Sequence, residues 1–139
     1  MKHIMATKTI QLKHKYQDNI KSLDEESTKV RNVVCTIYER FINEQNANHK
    51  EYAIEALQEY RYIPSKFIIP TGVYLRYIDT KIVSDMKLKV GGFVLNDNGY
   101  SVTFKSAANN MPIKLSKRNC ILFTLITYNE KLRCAIADK

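Results

Sequence analysis

Two apolar-rich runs on either side of an Asn-Asp-Asn-Gly sequence predict a β-hairpin in the middle of the chain. The hairpin spans residues 87–105, and its turn is the Asn-Gly pair at positions 98–99. Asn and Gly both tolerate the positive φ angles of tight hairpin turns. After the turn, Tyr100, Val102 and Phe104 alternate with polar residues, which predicts one buried face and one solvent-facing face.

Apolar and polar residues alternate with a period of two in the segment after Pro70, which predicts an antiparallel sheet. Further strands are expected at residues 73–78, 113–115, 119–128 and 132–136, with 119–128 as a central strand because it is rich in β-branched and aromatic residues. The Gly-Gly pair at 91–92 predicts a bulge or a bend within the hairpin. Five or six short strands are typical of a small antiparallel sheet or a partly open barrel.

Before Pro64 the apolar residues follow the period of a helix. The sequence from Ser22 to Glu25 has the form of a capping box, which predicts a helix start. The helix that follows is about 20 residues long and has one apolar face, formed by Val30, Val33, Val34, Ile37, Tyr38, Phe41 and Ile42. Residues 49–60 predict a second, shorter helix, so the two helices form a helical hairpin.

The fold class predicted from these patterns is α+β. We expect a basic N-terminal arm over residues 1–20, a helical hairpin over 21–63 and an antiparallel β domain over 64–139, with 21–139 packed as one unit. The arm is consistent with an edge strand or with a mobile segment, since chain ends are ordered only when other elements hold them.

Positive charge is concentrated in the arm and the β segment. The chain has 22 Lys and Arg against 14 Asp and Glu, a net charge of +8. Residues 18–60 are acidic, whereas the arm and residues 61–139 are basic. A basic surface attracts phosphate backbones or acidic proteins. The alternative is that the lysines only solvate the strands and protect the sheet edges.

Basic side chains near aromatic ones are typical of nucleic-acid interfaces. In the first predicted strand after Pro70, Tyr74 and Arg76 share the polar face. The candidate nucleic-acid-binding residues are Lys8, Lys13, Lys15, Arg76, Lys89, Lys105, Lys114, Lys117 and Arg118.

The sequence contains no pattern that predicts catalysis. The histidines, His3, His14 and His49, are distant in sequence from the three cysteines, and no nucleophile, metal or phosphate-loop motif is present. We therefore expect no catalytic residues, no metal and no cofactor. An enzyme remains an alternative only if its site forms in an oligomer.

Three scattered cysteines with no Cys-x-x-Cys pair indicate a reducing compartment, cytoplasmic or nuclear. No apolar run approaches the roughly 18 residues of a membrane span, and the first residues lack the apolar core of a signal peptide.

Residues 69–105 contain a Pro-x-Gly-x-Tyr-x-Arg-Tyr strand followed by a Lys-rich Gly-Gly-Phe-x-x-Asn hairpin. This order resembles small β domains in uncharacterised proteins of large nucleocytoplasmic DNA viruses. The resemblance covers about a quarter of the chain. It implies a virion-associated or virus-replication context, and it implies no active site.

The leading hypothesis is a non-enzymatic viral protein that acts in virion assembly or contacts nucleic acid through its basic arm and β face. The alternative is a protein–protein scaffold or adaptor that forms a homo-oligomer and binds no nucleic acid. In that case the acidic helical surface of one copy meets the basic β surface of another.

Overall fold

The computed structural model describes residues 22–40, 47–81, 86–127 and 129–132. Within them, two helices that pack together precede a six-stranded antiparallel open sheet, which confirms the α+β class. The predicted arm, with Lys8, Lys13 and Lys15, lies outside the described residues. The elements are α1 (Leu23–Arg40), α2 (Ala47–Ala56), β1 (Tyr60–Ile63), β2 (Tyr74–Asp79), β3 (Leu88–Asp97), β4 (Ser101–Ser106), β5 (Pro112–Ser116), a 3-10 turn (Lys117–Asn119) and β6 (Cys120–Leu125).

Helix α1 begins where the capping pattern predicts. The Ser22 Oγ accepts a hydrogen bond from the Glu25 N–H at 3.1 Å, so it satisfies one of the free donors of the first turn. The helix buries Val30, Val34 and Ile37 against the sheet and α2. The predicted apolar face is thereby confirmed as far as Tyr38, while Phe41 and Ile42 lie outside the described residues.

Helix α2 ends at Ala56, so the prediction of a helix through Tyr60 is wrong. The Tyr60 N–H donates to the Leu57 carbonyl at 3.0 Å and closes a turn. The chain then enters β1, in which Arg61 and Ile63 are buried. Four residues are too few for a period of two to be visible beside a helical pattern.

The strand order is β1-β6-β2-β3-β4-β5. The last strand, β6, therefore lies between β1 and β2, which confirms that it is a central strand. Among the described residues, the outer strands β1 and β5 do not pair with each other. The sheet is therefore open, and of the two predicted forms the barrel is not adopted.

Each face of the sheet has its own hydrophobic core. On one face, Ile78 and Phe123 pack with the helices, and Tyr38 of α1 donates from its hydroxyl to the Met86 carbonyl. On the other face, Leu75 and Phe104 pack with residues of the segment between β1 and β2. The two cores therefore bury both faces of the sheet at its centre.

The glycine pair forms the predicted bulge. The pairing of β2 with β3 shifts register opposite residues 75–77, where β3 contains an extra residue. A Cβ atom on Gly91 would lie 1.9 Å from the Leu75 carbonyl oxygen, and one on Gly92 would lie 1.8 Å from that of Lys105. Because both distances are far below any real contact, only glycine fits between these neighbouring strands.

The β3–β4 hairpin is confirmed, although its turn differs in detail from the expected one. Gly99 has a φ of +94°, whereas the φ of Asn98 is not positive. Instead, the Asn98 Oδ1 accepts hydrogen bonds from the N–H groups of Tyr100 at 2.9 Å and Ser101 at 2.8 Å. Tyr100 is 86% exposed at the tip of the hairpin, so the expectation that it shares the buried face of Val102 is wrong.

Residues 129–132 are helical, so Leu132 does not begin a strand as predicted, and residues 133–136 lie outside the described part of the chain. The turn has a capping box. The Thr127 Oγ1 accepts from the Glu130 N–H at 3.2 Å, and the Glu130 Oε1 accepts from the Thr127 N–H at 3.3 Å. Glu130 is also 3.8 Å from the buried Arg61 of β1.

Candidate nucleic-acid interface

The register of the strands shows which side chains share the face that the helices cover only in part. Arg76 of β2 pairs with Phe123 of β6, which packs under the helices, so both side chains lie on the helix-covered side. Tyr74 is two residues from Arg76 and faces the same way, which confirms the predicted alternation.

From Tyr74, one row of directly paired residues crosses the sheet to its edge. Tyr74 pairs with Phe93, Phe93 with Lys105, and Lys105 with Pro112. A neighbouring row contains Asn96, Thr103 and Lys114. We call this surface the open face and define it by Tyr74, Arg76, Phe93, Thr103, Lys105 and Lys114.

The open face is accessible to solvent over β3, β4 and β5. Phe93 is 56% exposed, and Lys105 and Lys114 are both exposed. Tyr74 and Arg76 are half-buried where the sheet approaches the helices. Val90 and Leu95 of the same strand as Phe93 are exposed as well, and several exposed apolar side chains together mark an interaction surface.

Tyr74 and Phe93 form an aromatic pair on this face. Their ring centroids are 5.1 Å apart and their planes are inclined by 81°, which is the edge-to-face arrangement. Pairs of this geometry contribute about 0.5–1.5 kcal/mol beyond the area they bury. The ring of Phe93 is therefore held in a defined position although much of it is exposed.

The basic groups lie on both sides of the aromatic pair. Lys105 is directly opposite Phe93, which places their Cβ atoms about 5 Å apart, and Lys114 is a diagonal neighbour of Lys105 on the next strand. On the other side, the Arg76 Nε donates to the Lys89 carbonyl at 3.5 Å. Burial raises the pKa of Tyr60, and the positive charge of Arg76 acts on that pKa in the opposite direction.

No acidic residue of β2, β3, β4 or β5 lies on the open face. These four strands contain two acidic residues, Asp79 and Asp97. Asp79 pairs with Cys120, and Asp97 pairs with Val102, both of which belong to the opposite core. The open face therefore has a local positive charge from Arg76 and the two lysines.

No family model, no curated protein and no solved structure matches this chain.

Lys117 is the candidate whose predicted exposure is wrong. Its side chain is buried, and its Nζ donates to the Asp97 Oδ2 at 2.6 Å and to the Phe67 carbonyl at 2.8 Å. Because it lies in the 3-10 turn after β5, strand alternation does not apply to it. It is held inside the protein by an ion pair and is not part of a phosphate-contacting surface.

Of the remaining candidates, Arg76, Lys105 and Lys114 come together on the open face. Lys89 pairs with Tyr77 and so faces the opposite way from Arg76. Burial raises the pKa of Tyr77, and the charge of Lys89 opposes this rise. Arg118 is exposed in the 3-10 turn, beyond the end of β5. The structure thus separates the candidates into one cluster and single basic residues elsewhere.

Phe93 is the residue that sequence reasoning missed. The Gly-Gly-Phe sequence indicates a turn followed by a core aromatic. The signal that could have identified Phe93 is its place opposite Lys105, which the hairpin register assigns to the polar face.

Within the described residues, no group of three or more His, Cys, Asp or Glu side chains could hold a metal ion. Burial raises the pKa of the Cys120 thiol to about 11, so this thiol is protonated and weakly nucleophilic at neutral pH. No helix in the described part of the chain is long and apolar enough to span a membrane.

Proposed function

We propose that the protein is a non-enzymatic nucleic-acid-binding protein that contacts the phosphate backbone through the open face. The observation that supports this proposal is the convergence of Arg76, Lys105 and Lys114 on one accessible sheet face. Both acidic residues of β2–β5 are on the other face. Together with the viral resemblance of residues 69–105, this supports a role in virion assembly or in contact with a viral genome or transcript.

Binding of this kind depends on salt and not on base sequence. Each basic group that neutralises a phosphate releases counterions, so affinity falls steeply with salt concentration. Phosphate contacts position the ligand but do not specify its sequence. In this proposal, Lys8, Lys13 and Lys15 of the N-terminal arm supply additional phosphate contacts.

Fluorescence anisotropy with labelled oligonucleotides of mixed sequence tests the proposal at three salt concentrations. For about six neutralised phosphates, we expect the affinity to fall on the order of a thousandfold between roughly 50 and 200 mM salt. Lys105→Glu with Lys114→Glu should weaken binding to all sequences. Deletion of residues 1–15 should lower the salt slope.

The control is Lys29→Glu with Arg31→Glu, which makes the same change in charge at two exposed positions of α1. It should retain most of the affinity, because α1 is not part of the open face. No binding by the full chain at the lowest salt concentration would refute the proposal. Equal losses in the control and the open-face variant would show that only net charge matters.

The second candidate function is a scaffold or adaptor that self-associates. It is favoured by the exposed apolar side chains of β3, where Val90 and Phe93 are each 56% exposed and Leu95 is 46% exposed. Exposed apolar groups of this kind mark many protein–protein surfaces. Light scattering with and without high salt tests it, since the scaffold predicts an oligomer that survives Lys105→Glu and binds no nucleic acid.

A further inference from the structure

We propose that the open face binds single-stranded nucleic acid in preference to duplex, with Phe93 as a residue on which one base stacks. This inference rests on the proposed function and specifies its ligand. Its starting point is the pairing row that places an exposed aromatic ring between a second aromatic ring and a lysine. The basic groups alone would be compatible with duplex or single strand.

Of the two forms of nucleic acid, the single strand is the one that offers an exposed ring an unpaired base. In a duplex, the flat faces of the bases are covered by their neighbours, and only their edges are accessible in the grooves. In a single strand the faces are free, and they stack on aromatic side chains without regard to base identity. Phe93 has no polar group with which to read a base edge, so stacking is the contact that its ring can make.

Phe93 is also held in place before any ligand binds. Its strand, β3, pairs with β2 on one side and β4 on the other, and the preceding Gly92 fits tightly against the backbone of β4. Tyr74 contacts the Phe93 ring edge-to-face at 5.1 Å. A ring that is already ordered loses little conformational entropy when a base stacks on it.

The basic side chains of the open face are spaced to contact a nucleic-acid strand that crosses the β-sheet. Arg76 is on β2, Phe93 on β3, Lys105 on β4 and Lys114 on β5. The series is diagonal: it extends over roughly 14 Å across the strands, and Arg76 and Lys114 lie two residues to opposite sides of the row that contains Phe93, so its ends are roughly 20 Å apart. A stacked base on Phe93 would therefore have a basic group available for the backbone phosphates on each of its sides.

A fluorescence experiment can report stacking directly, because the chain contains no tryptophan. Phe93→Trp introduces a single Trp at the proposed stacking position. We expect its fluorescence to be quenched by an unlabelled oligothymidylate of about ten nucleotides, a length within the range of known single-strand sites. A duplex of the same length should cause much less quenching. Tyr52→Trp on α2 is the matched control, since Tyr52 and Phe93 are both 56% exposed.

Affinity measurements separate stacking from phosphate contact. Stacking contributes about 1–3 kcal/mol per base, so Phe93→Leu should weaken binding to the oligothymidylate by roughly 5- to 150-fold. The slope of log affinity against log salt should stay as in the wild type, because no phosphate contact is lost. Lys105→Gln should lower that slope. Phe93→Tyr should restore affinity, and thermal unfolding should show that the variants are folded.

The outcomes distinguish this inference from the function on which it rests. Wild-type affinity of Phe93→Leu for single strands, or equal quenching by single strand and duplex, would overturn stacking and leave the phosphate contacts intact. No binding by the wild-type chain would refute both. If Phe93→Leu instead dissociates an oligomer without changing nucleic-acid affinity, the ring belongs to a self-association surface and the inference is wrong.

Discussion

The Lys117 ammonium group lies 2.6 Å from the Asp97 carboxylate, and both side chains are almost completely shielded from solvent. The Asp97 Oδ2 also accepts from the Ile69 N–H at 2.9 Å, and its Oδ1 accepts from the Gly99 N–H at 2.8 Å. The pair joins the end of β3 to the turn after β5 and to the segment before β2. Charges buried in this way are tolerated because each is paired and hydrogen-bonded.

We expect Lys117→Met to lower the free energy of unfolding by about 3–5 kcal/mol, because Asp97 would be left buried without its counter-charge. Urea denaturation measures this loss. The control, Lys114→Met, should change stability by less than about 0.5 kcal/mol, since Lys114 is exposed. Combining Lys117→Met with Asp97→Asn should cost less than the sum of the single changes. Simple additivity would contradict a direct interaction.

The glycine bulge gives a second prediction. Gly92→Ala should destabilise the protein by at least about 3 kcal/mol, because the added carbon would overlap the Lys105 carbonyl of a paired strand. Gly72→Ala is the control: Gly72 has a φ of +91° but no atom within 4 Å of an added Cβ. It should cost only about 1 kcal/mol of backbone strain. Similar melting temperatures for the two variants would show that the strands can separate to accept a side chain.

The buried hydroxyl of Tyr38 predicts a loss of stability in alkali. Burial raises the pKa of Tyr38 to about 12 from 10, so between these pH values the unfolded chain ionises while the folded chain stays protonated. The raised pKa contributes on the order of 2–3 kcal/mol to the free energy of unfolding. This contribution is complete below pH 10 and is lost as the pH rises through 12.

Tyr38→Phe should be less stable than the wild type at pH 7 by about 1 kcal/mol, because the Met86 carbonyl loses its donor. The gap between the two proteins should close at about pH 11, and above that pH Tyr38→Phe should be the more stable protein, because the wild type loses more than the initial gap. Denaturation series at pH 8, 10 and 11.5 measure it, and a gap that is constant across this range would disprove the assignment.

The apolar face of α1 belongs to the core of its own chain. Ile37→Asp should prevent folding, because an unpaired charge in the core between α1 and the sheet costs several kcal/mol. The adjacent Thr36→Asp should fold, since Thr36 is exposed. Circular dichroism and sizing distinguish the outcomes. A folded Ile37→Asp protein with a lower mass would assign this face to an interface between chains.

Elements with a long, uninterrupted pattern were predictable from the sequence. Helix α1 combines a capping Ser22 with a regular apolar face, and the β3–β4 hairpin combines alternation with a glycine turn. Strand β1 was not predictable, because Tyr60–Ile63 follows directly on a helical pattern and pairs with a strand about 60 residues later in the chain. Its partner, and not its own sequence, determines that it is extended.

The open face was partly predictable for the same reason. Arg76, Lys105 and Lys114 lie in strands where alternation holds, so their side of the sheet follows from their position. Lys117 lies in a 3-10 turn, and its partner Asp97 is 20 residues away in sequence, so neither its burial nor its ion pair follows from a local pattern. The position of Phe93 on the open face could be predicted only with the strand register across the bulge.

The place of β6 between β1 and β2 has a consequence for synthesis on the ribosome. The helices and five of the six strands emerge before β6 does, yet β6 supplies Phe123, which packs with both helices, and the only strand that pairs with β1 among the described residues. Until it arrives, the apolar face of α1 has no complete surface to cover it, and β1 and β2 each present an unpaired edge. Until β6 has emerged, the nascent chain therefore exposes the apolar surfaces and strand edges that chaperones bind, and the native sheet becomes accessible only once β6 is available.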